Sequence, residues 1–226
     1  MKIQIIGADA AFDGLNTSLY FKDDLGRGVL VDCGYTVYPE LNRRGLRGEV
    51  DIVLVSHTHG DHAGSLTKLA AYQYYNMNGK TIMVAGHEWL PELFNIMGVE
   101  PTKQYQPLSE NDPLNLKIIR TKHIAGHGHN NALFIADTIL YSGDCVDNLL
   151  LTDWARKAKI IFHDTTLSAA SAKSHASLDS LAAAPDDIKA KTWLIHLPVH
   201  AHEEAVRLAA ENGFAGVCHN GQEIII

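Results

Sequence analysis

Cysteine is scarce: Cys33, Cys145 and Cys218 are the only three in 226 residues. They are odd in number, scattered and in no CxxC pair, so a disulfide scaffold is not expected and a reduced, cytoplasmic setting is. Lysine and arginine form no run and the formal net charge is −7, which disfavours broad electrostatic adhesion to nucleic acid while leaving room for a local basic cleft. The opening MKIQIIGADA carries one lysine and a short apolar stretch that soon meets polar residues. Neither a signal peptide nor a membrane span is expected from it, and no membrane partner. Low-complexity segments and short repeats are missing too. With 46% apolar and 20% charged residues, the chain has the composition of a globular protein with a real core. At this length one domain spanning residues 1–226 is the default, and two related halves packed together would also fit. The abundant residue is histidine, thirteen in all, many of them where strands end.

Short β-rich runs come first, at Lys2–Ile6, Ser18–Lys22 and Gly28–Asp32, separated by Gly, Asp and Asn turns. Asp51–Ser56 reads as a buried strand from its continuous aliphatic run. Ser65–Met77 and His87–Met97 read as helices flanking a strand at Lys80–Ala85. Leu116–Arg120, Ala132–Ala136 and Thr138–Ser142 read as strands, the last two as a hairpin. Lys159–His163, Thr192–Leu197 and Gly221–Ile226 add three more, with helices around Ser177–Ala184 and His202–Asn212 between them. The pattern implies an α/β fold with two mixed sheets face to face and helices outside.

The segment Ser56-His-Thr-His-Gly-Asp-His62 carries the strongest chemical signal. A strand ends, and three imidazoles and a carboxylate follow at once. Alternate residues of an extended segment share a face, so His57 and His59 can converge on one cation. Asp61 and His62 follow Gly60, which permits a turn, and can serve a second cation. Imidazole with carboxylate suits Zn²⁺ best, though Mn and Fe use the same groups.

HTHGDH resembles the HxHxDH signature of the metallo-β-lactamase fold, and the resemblance extends over nearly the whole chain. Leu30-Val-Asp-Cys-Gly34 is similar to the turn that supports the metal loop in that family. Ile124-Ala-Gly-His127 resembles its Gly-His element, Tyr141-Ser-Gly-Asp144 the strand end whose aspartate bridges two metals, and Leu194-Ile-His196 the last ligand. The resemblance implies an αββα sandwich of two mixed β-sheets and two divalent ions. His57, His59 and His127 would hold the first, Asp61, His62 and His196 the second, and Asp144 would bridge. His123 and His129 compete with His127, and His200 and His202 with His196; Gly126 before His127 favours it. His87 and His219 read as satisfied surface or core histidines.

Ile160-Ile-Phe-His-Asp-Thr-Thr-Leu167, then His175, then His196 resembles the C-terminal half of ribonuclease Z-like proteins and of cyclic phosphodiesterases that share the layout. That implies hydrolysis of a phosphodiester, with a metal-bridged hydroxide as nucleophile, Asp61 orienting it and His175 as general acid opening a helix. Departures narrow the substrate. No basic or Gly/Pro-rich arm is present, the text after the last ligand is His196-Leu-Pro-Val-His200 without arginine, and Asp164 stands where glutamate is expected. A small phosphodiester or cyclic nucleotide therefore fits better than transfer RNA. Endoribonuclease action on RNA and carbon-ester hydrolysis (lactonase or thioesterase) are the alternatives, and a homodimer is compatible with the sequence.

Overall fold

The computed structural model describes residues 1–124, 130–168 and 170–226, which fall into two compact units. The first comprises residues 1–7, 15–112 and 220–226, the second residues 8–14 and 113–219. Each is built on one mixed sheet with its own buried core. Two mixed sheets flanked by helices were expected, and two are found.

In the first unit seven strands lie in the order Glu223–Ile225, Lys2–Gly7, Ser18–Lys22, Gly28–Val31, Val50–Val55, Ile82–Gly86 and Tyr105–Pro107. The first four pair antiparallel, and from Gly28–Val31 onward the pairing is parallel. Val50–Val55 is central, which explains its unbroken aliphatic text: its neighbours pair with both edges and nearly every residue is buried. Helices Val37–Arg43, Leu66–Asn76 and Leu90–Ile96 seat Val37, Leu41, Leu66, Leu69, Leu90 and Phe94 in this core. Fully burying each such side chain contributes about 1.5–3 kcal/mol.

The second unit repeats the plan with six strands: Gly216–Val217, Thr192–Ile195, Ile160–Asp164, Ile139–Tyr141, Asn130–Ile135 and Lys117–Thr121. Pairing is parallel as far as Ile139–Tyr141 and antiparallel beyond it. Lys117–Thr121 forms an exposed edge whose Lys117 and Arg120 discourage pairing with another chain. Helices Asp153–Lys157, Leu178–Ala182, Asp186–Lys189 and His202–Asn212 pack against the sheet through Ala155, Leu181, Ile188 and Ala205. Gly213, left-handed at φ 79°, closes the last of them.

Several boundaries differ from the sequence expectation. The helix expected from His87 begins at Leu90, because His87 Nδ1 accepts the Trp89 backbone N–H (3.2 Å) and Pro91 sits in the first turn. Two strands end one or two residues early, where Asp32 (φ 59°) and His196 (φ 64°) take left-handed conformations. Such backbone is costly for residues other than glycine and is held only when its surroundings over-determine it. No helix among the described residues is long and apolar enough to cross a membrane.

Candidate active site

In the first unit the strands Gly28–Val31 and Val50–Val55 run parallel, so their carboxyl ends deliver Asp32 and Ser56-His57 side by side. Asp32 is fully buried and organises the loop. Its Oδ1 accepts the Ser56 backbone N–H (2.7 Å); its Oδ2 accepts the Ser56 hydroxyl (2.8 Å) and lies 2.7 Å from His62 Nδ1. Ser56, donating to Asp32, is left to accept from His57 Nδ1 at 3.1 Å. These partners make Nε2 the lone-pair nitrogen of both His57 and His62, the tautomer a metal ligand needs. His57 Nε2 is 3.0 Å from His59 Nδ1, close to the separation of about 3.3 Å expected for two nitrogens on one tetrahedral ion. His62 Nε2 faces Asp61 Oδ2 at 3.3 Å, and the His57 and His62 ring centres are 4.2 Å apart. The structure thus gathers all four residues of the motif.

Asp61 and His62 turn inward because Gly60–Ala63 is one turn of helix. Gly60 serves this turn by its missing side chain and not by unusual backbone: a Cβ there would sit 1.8 Å from the Tyr35 hydroxyl. Gly34 is just as tightly set, since a Cβ would lie 1.8 Å from the Asp61 carbonyl oxygen. The backbone bonds Cys33 N to His62 O (2.6 Å) and Tyr35 N to Gly60 O (3.1 Å) stitch the early turn to the metal loop.

In the second unit three adjacent parallel strands, Ile139–Tyr141, Ile160–Asp164 and Thr192–Ile195, end together and present Asp144, Asp164 and His196. Donor atoms of these three and of His175 all lie within 4.8 Å of one another. His196 Nε2 is 3.4 Å from Asp144 Oδ1, and His196 Nδ1 is 3.5 Å from Asp164 Oδ1. His196 is buried and its backbone N–H is fixed by the Ala8 carbonyl (2.9 Å), whereas His200 is exposed and His202 faces Asp9 at 3.0 Å. Among those three, only His196 joins the cluster.

His175 does not open a helix. It lies between a 3₁₀ turn at Ser171–Lys173 and the helix Leu178–Ala182, which Ser177 caps. Its Nδ1 donates to Asp164 Oδ2 at 2.9 Å, lies 4.0 Å from Asp144 Oδ2, and its ring stacks on His196 with centres 5.3 Å apart. Burial pulls its pKa down, but the Asp164 hydrogen bond and the Asp164 and Asp144 charges outweigh that, and the net shift is upward. Asp164, read from sequence only as a departure, is therefore the partner that holds His175. Sequence spacing could not have revealed it, because the two side chains meet only in the folded structure. His163, by contrast, is fully buried, its Nδ1 2.7 Å from the Asp164 carbonyl oxygen and its Nε2 accepting the Leu149 N–H (3.3 Å), and burial lowers its pKa. It is a neutral structural histidine. His87 is likewise buried and bonded, and His219 lies on the surface.

His127 and His129 lie outside the described residues. Their competitor His123 is placed: its Nδ1 donates to the Ser174 carbonyl at 2.6 Å, which leaves Nε2 with the lone pair, 3.8 Å from Asp144 Oδ2.

The donor set is one of imidazoles and carboxylates, which fits divalent zinc, manganese or iron. Thiolate does not enter it. All three cysteines are buried and free, and burial pushes each thiol up, Cys33 to about 12. Buried Asp164 Oδ1 has no hydrogen-bond partner among the described residues, a cost that a nearby cation would offset.

The profile of a family described as anti-Pycsar protein Apyc1 matches residues 1–95 and 85–224. The anti-Pycsar protein Apyc1 of Paenibacillus harenae is 30% identical over 218 residues, covering 87% of this chain and 89% of that protein. Among solved structures, the metallo-β-lactamase fold protein YhfI from Bacillus subtilis is similar at a TM-score of 0.76 and 18% identity, covering 99% of this chain and 98% of that one. A diphosphatase from the PhnP family is similar at 0.72 and 18% identity, covering 100% and 97%. At such identities the structural likeness speaks for the fold, and the fold is that of the metallo-β-lactamases.

Proposed function

Because the chain belongs to the anti-Pycsar Apyc1 family, we propose that it is a dinuclear phosphodiesterase that hydrolyses a cyclic nucleotide or another compact phosphodiester. The expectation of a metal-dependent hydrolase of the metallo-β-lactamase fold is borne out by that membership. His57 and His59, with one histidine of the 123–129 stretch, would hold one cation; Asp61, His62 and His196 would hold the other, and Asp144 would bridge. For the third ligand of the first cation the sequence favours His127, while the hydrogen bond from His123 to Ser174 favours His123. When bound, two such cations supply a water of lowered pKa and neutralise charge on the phosphoryl oxygens. Zinc is the ion these groups suit best.

One observation carries the phosphodiesterase assignment: an imidazole of raised pKa, hydrogen-bonded to buried Asp164 and 4.0 Å from Asp144. Esters of carbon with good leaving groups need no such acid, whereas the alkoxide leaving a phosphodiester does. With Nδ1 committed to Asp164, His175 delivers the Nε2 proton to the leaving oxygen, and Asp164 stabilises the imidazolium before transfer. Asp61 would orient the attacking water and accept its proton. Net charge −7 and three reduced, buried cysteines support a small substrate and a cytoplasmic setting.

His175→Ala tests this. Hydrolysis of a natural cyclic or linear phosphodiester should fall about 10²–10⁴-fold, while bis-p-nitrophenyl phosphate, whose nitrophenolate leaves without help, should lose far less. Equal losses on both substrates would remove His175 as the acid. Robust lactonase activity without phosphodiesterase activity would overturn the assignment.

A further inference from the structure

His196 holds a left-handed backbone, φ 64°, that a residue other than glycine keeps only when its neighbours enforce it. The strand Thr192–Ile195 ends one residue before it, its last partner pair being Ile195 with Asp164. What enforces the conformation comes from two other segments of the second unit, Ala8–Gly14 and the start of the helix His202–Asn212. The Ala8 carbonyl accepts the His196 N–H at 2.9 Å, and the Ala10 N–H donates to the Leu197 carbonyl at 3.1 Å. Between those two bonds Asp9 bridges Leu197 in parallel register, while the Leu197 side chain is fully buried in the core.

The Leu197 carbonyl has a second donor. His202 Nε2 lies 3.3 Å from it and 3.0 Å from Asp9 Oδ1, so one N–H serves both acceptors and Nε2 is the nitrogen that carries hydrogen. Neither partner is loosely held. Asp9 is buried, and its carboxylate is packed so tightly under Gly14 that a Cβ there would sit 2.0 Å from Oδ2. His202 opens a helix that is seated on the core through Ala205 and Ala209. Without Asp9 the imidazole would keep one acceptor and turn more freely. Without His202 the Leu197 carbonyl would lose one of the two donors that hold it.

We propose that Asp9 and His202 are positioning residues for His196. Together they clamp the Leu197 carbonyl, and through that peptide they keep His196 in the left-handed conformation that sets its Nε2 3.4 Å from Asp144 Oδ1. This rests on the reading of His196 as a metal ligand and gives a role in that site to two residues outside the donor cluster. Neither touches a donor atom; both act through the backbone that follows the ligand. The left-handed turn is formed before any ion arrives, so the ligand is organised in advance and not drawn into place by the cation.

The test is zinc titration of the metal-depleted full chain against a chromophoric chelator, for the unaltered protein, His202→Ala, His202→Gln, Asp9→Asn, His196→Ala and the double variant His196→Ala with His202→Ala. His202→Ala should weaken one zinc ion about 10–100-fold, the range for groups that orient a ligand, and leave the other within about threefold. His202→Gln, whose amide nitrogen can stand where Nε2 stood, should recover most of that affinity. Asp9→Asn keeps an acceptor without its charge and should fall between the two; it carries the comparison if His202→Ala does not fold. In the double variant the second change should add nothing, because it acts through a ligand already removed. Unchanged zinc affinity in His202→Ala and Asp9→Asn, whatever happens to their thermal midpoints, overturns the proposal and leaves the pair a purely structural contact. So does a loss that adds in full to that of His196→Ala. If the unaltered protein takes up no zinc, the metal assignment falls first and takes this proposal with it.

Discussion

The two units assemble their donors by opposite routes. The first unit takes four donors from one run of six residues, His57 to His62, and one buried carboxylate, Asp32, fixes the run from behind. The second takes Asp144, Asp164, His175 and His196 from four separate segments, brought together by three neighbouring strand ends and one loop. A contiguous set depends on local backbone geometry. A dispersed set depends on the register of a parallel sheet, whose strands present their carboxyl ends along one edge. The division of labour follows: the first unit contributes candidate ligands almost exclusively, and the second also contributes His175, whose pKa its carboxylate neighbours raise.

The largest effect expected along this comparison falls on the third ligand from the second unit. On the reading that His123, rather than His127, supplies that ligand, His123→Ala should strip metal from the purified protein and abolish turnover. Elemental analysis alongside His127→Ala checks it; loss at His127 with retention at His123 would restore the sequence-based choice. A smaller and more discriminating effect separates the two supporting aspartates. Asp32→Asn weakens the hold on His62 and should cost about 10–100-fold in metal affinity. Asp164→Asn should instead act through His175, depressing turnover of natural diesters far more than of bis-p-nitrophenyl phosphate. If both variants lose metal equally and neither shows substrate selectivity, the two units do not differ as described.

The smallest effect concerns a histidine outside the cluster. The hydrogen bond from His202 to Asp9 raises the His202 pKa against the opposing effect of burial. A folded value above the ordinary 6.5 means that the stabilisation is complete below 6.5 and is lost as pH rises through the folded value. Asp9→Asn should therefore lower the thermal midpoint by about 1–2 °C near pH 5.5 and leave it unchanged near pH 9. The reverse order would show that the pair is not held by charge.

The same contrast explains what could be read from the residues alone. His57, His59, Asp61 and His62 announce themselves because their chemistry is written in consecutive letters. Asp144 and His196 were legible as polar ends of aliphatic strands, and their gathering follows from sheet order. Asp164 was not legible as the partner of His175, since that contact joins residues eleven apart that no local pattern links. Gly60 was expected to permit a turn and does, but through its missing side chain and not through unusual backbone, since a Cβ there would meet the Tyr35 ring. The helix Val37–Arg43 went unread because it is short and carries Pro39 in its first turn, although Glu40 there is a helix-start signal. Its Arg43, with Arg44 beside it, holds the Glu40 carboxyl at about 2 against the upward pull of burial.

The most direct test of the dinuclear assignment is elemental analysis of the protein and of Asp144→Asn, each purified without added metal and mildly dialysed, with cyclic-nucleotide turnover measured on the same samples. Seven ligands exceed what one ion takes, so the unaltered protein should carry about two transition-metal ions per chain and turn substrate over. The Asn variant should lose both ions together and fall by more than the roughly 100-fold that an outer-shell change costs. A stoichiometry near zero with no uptake of zinc or manganese, or an Asn variant that keeps both ions and full activity, would contradict it.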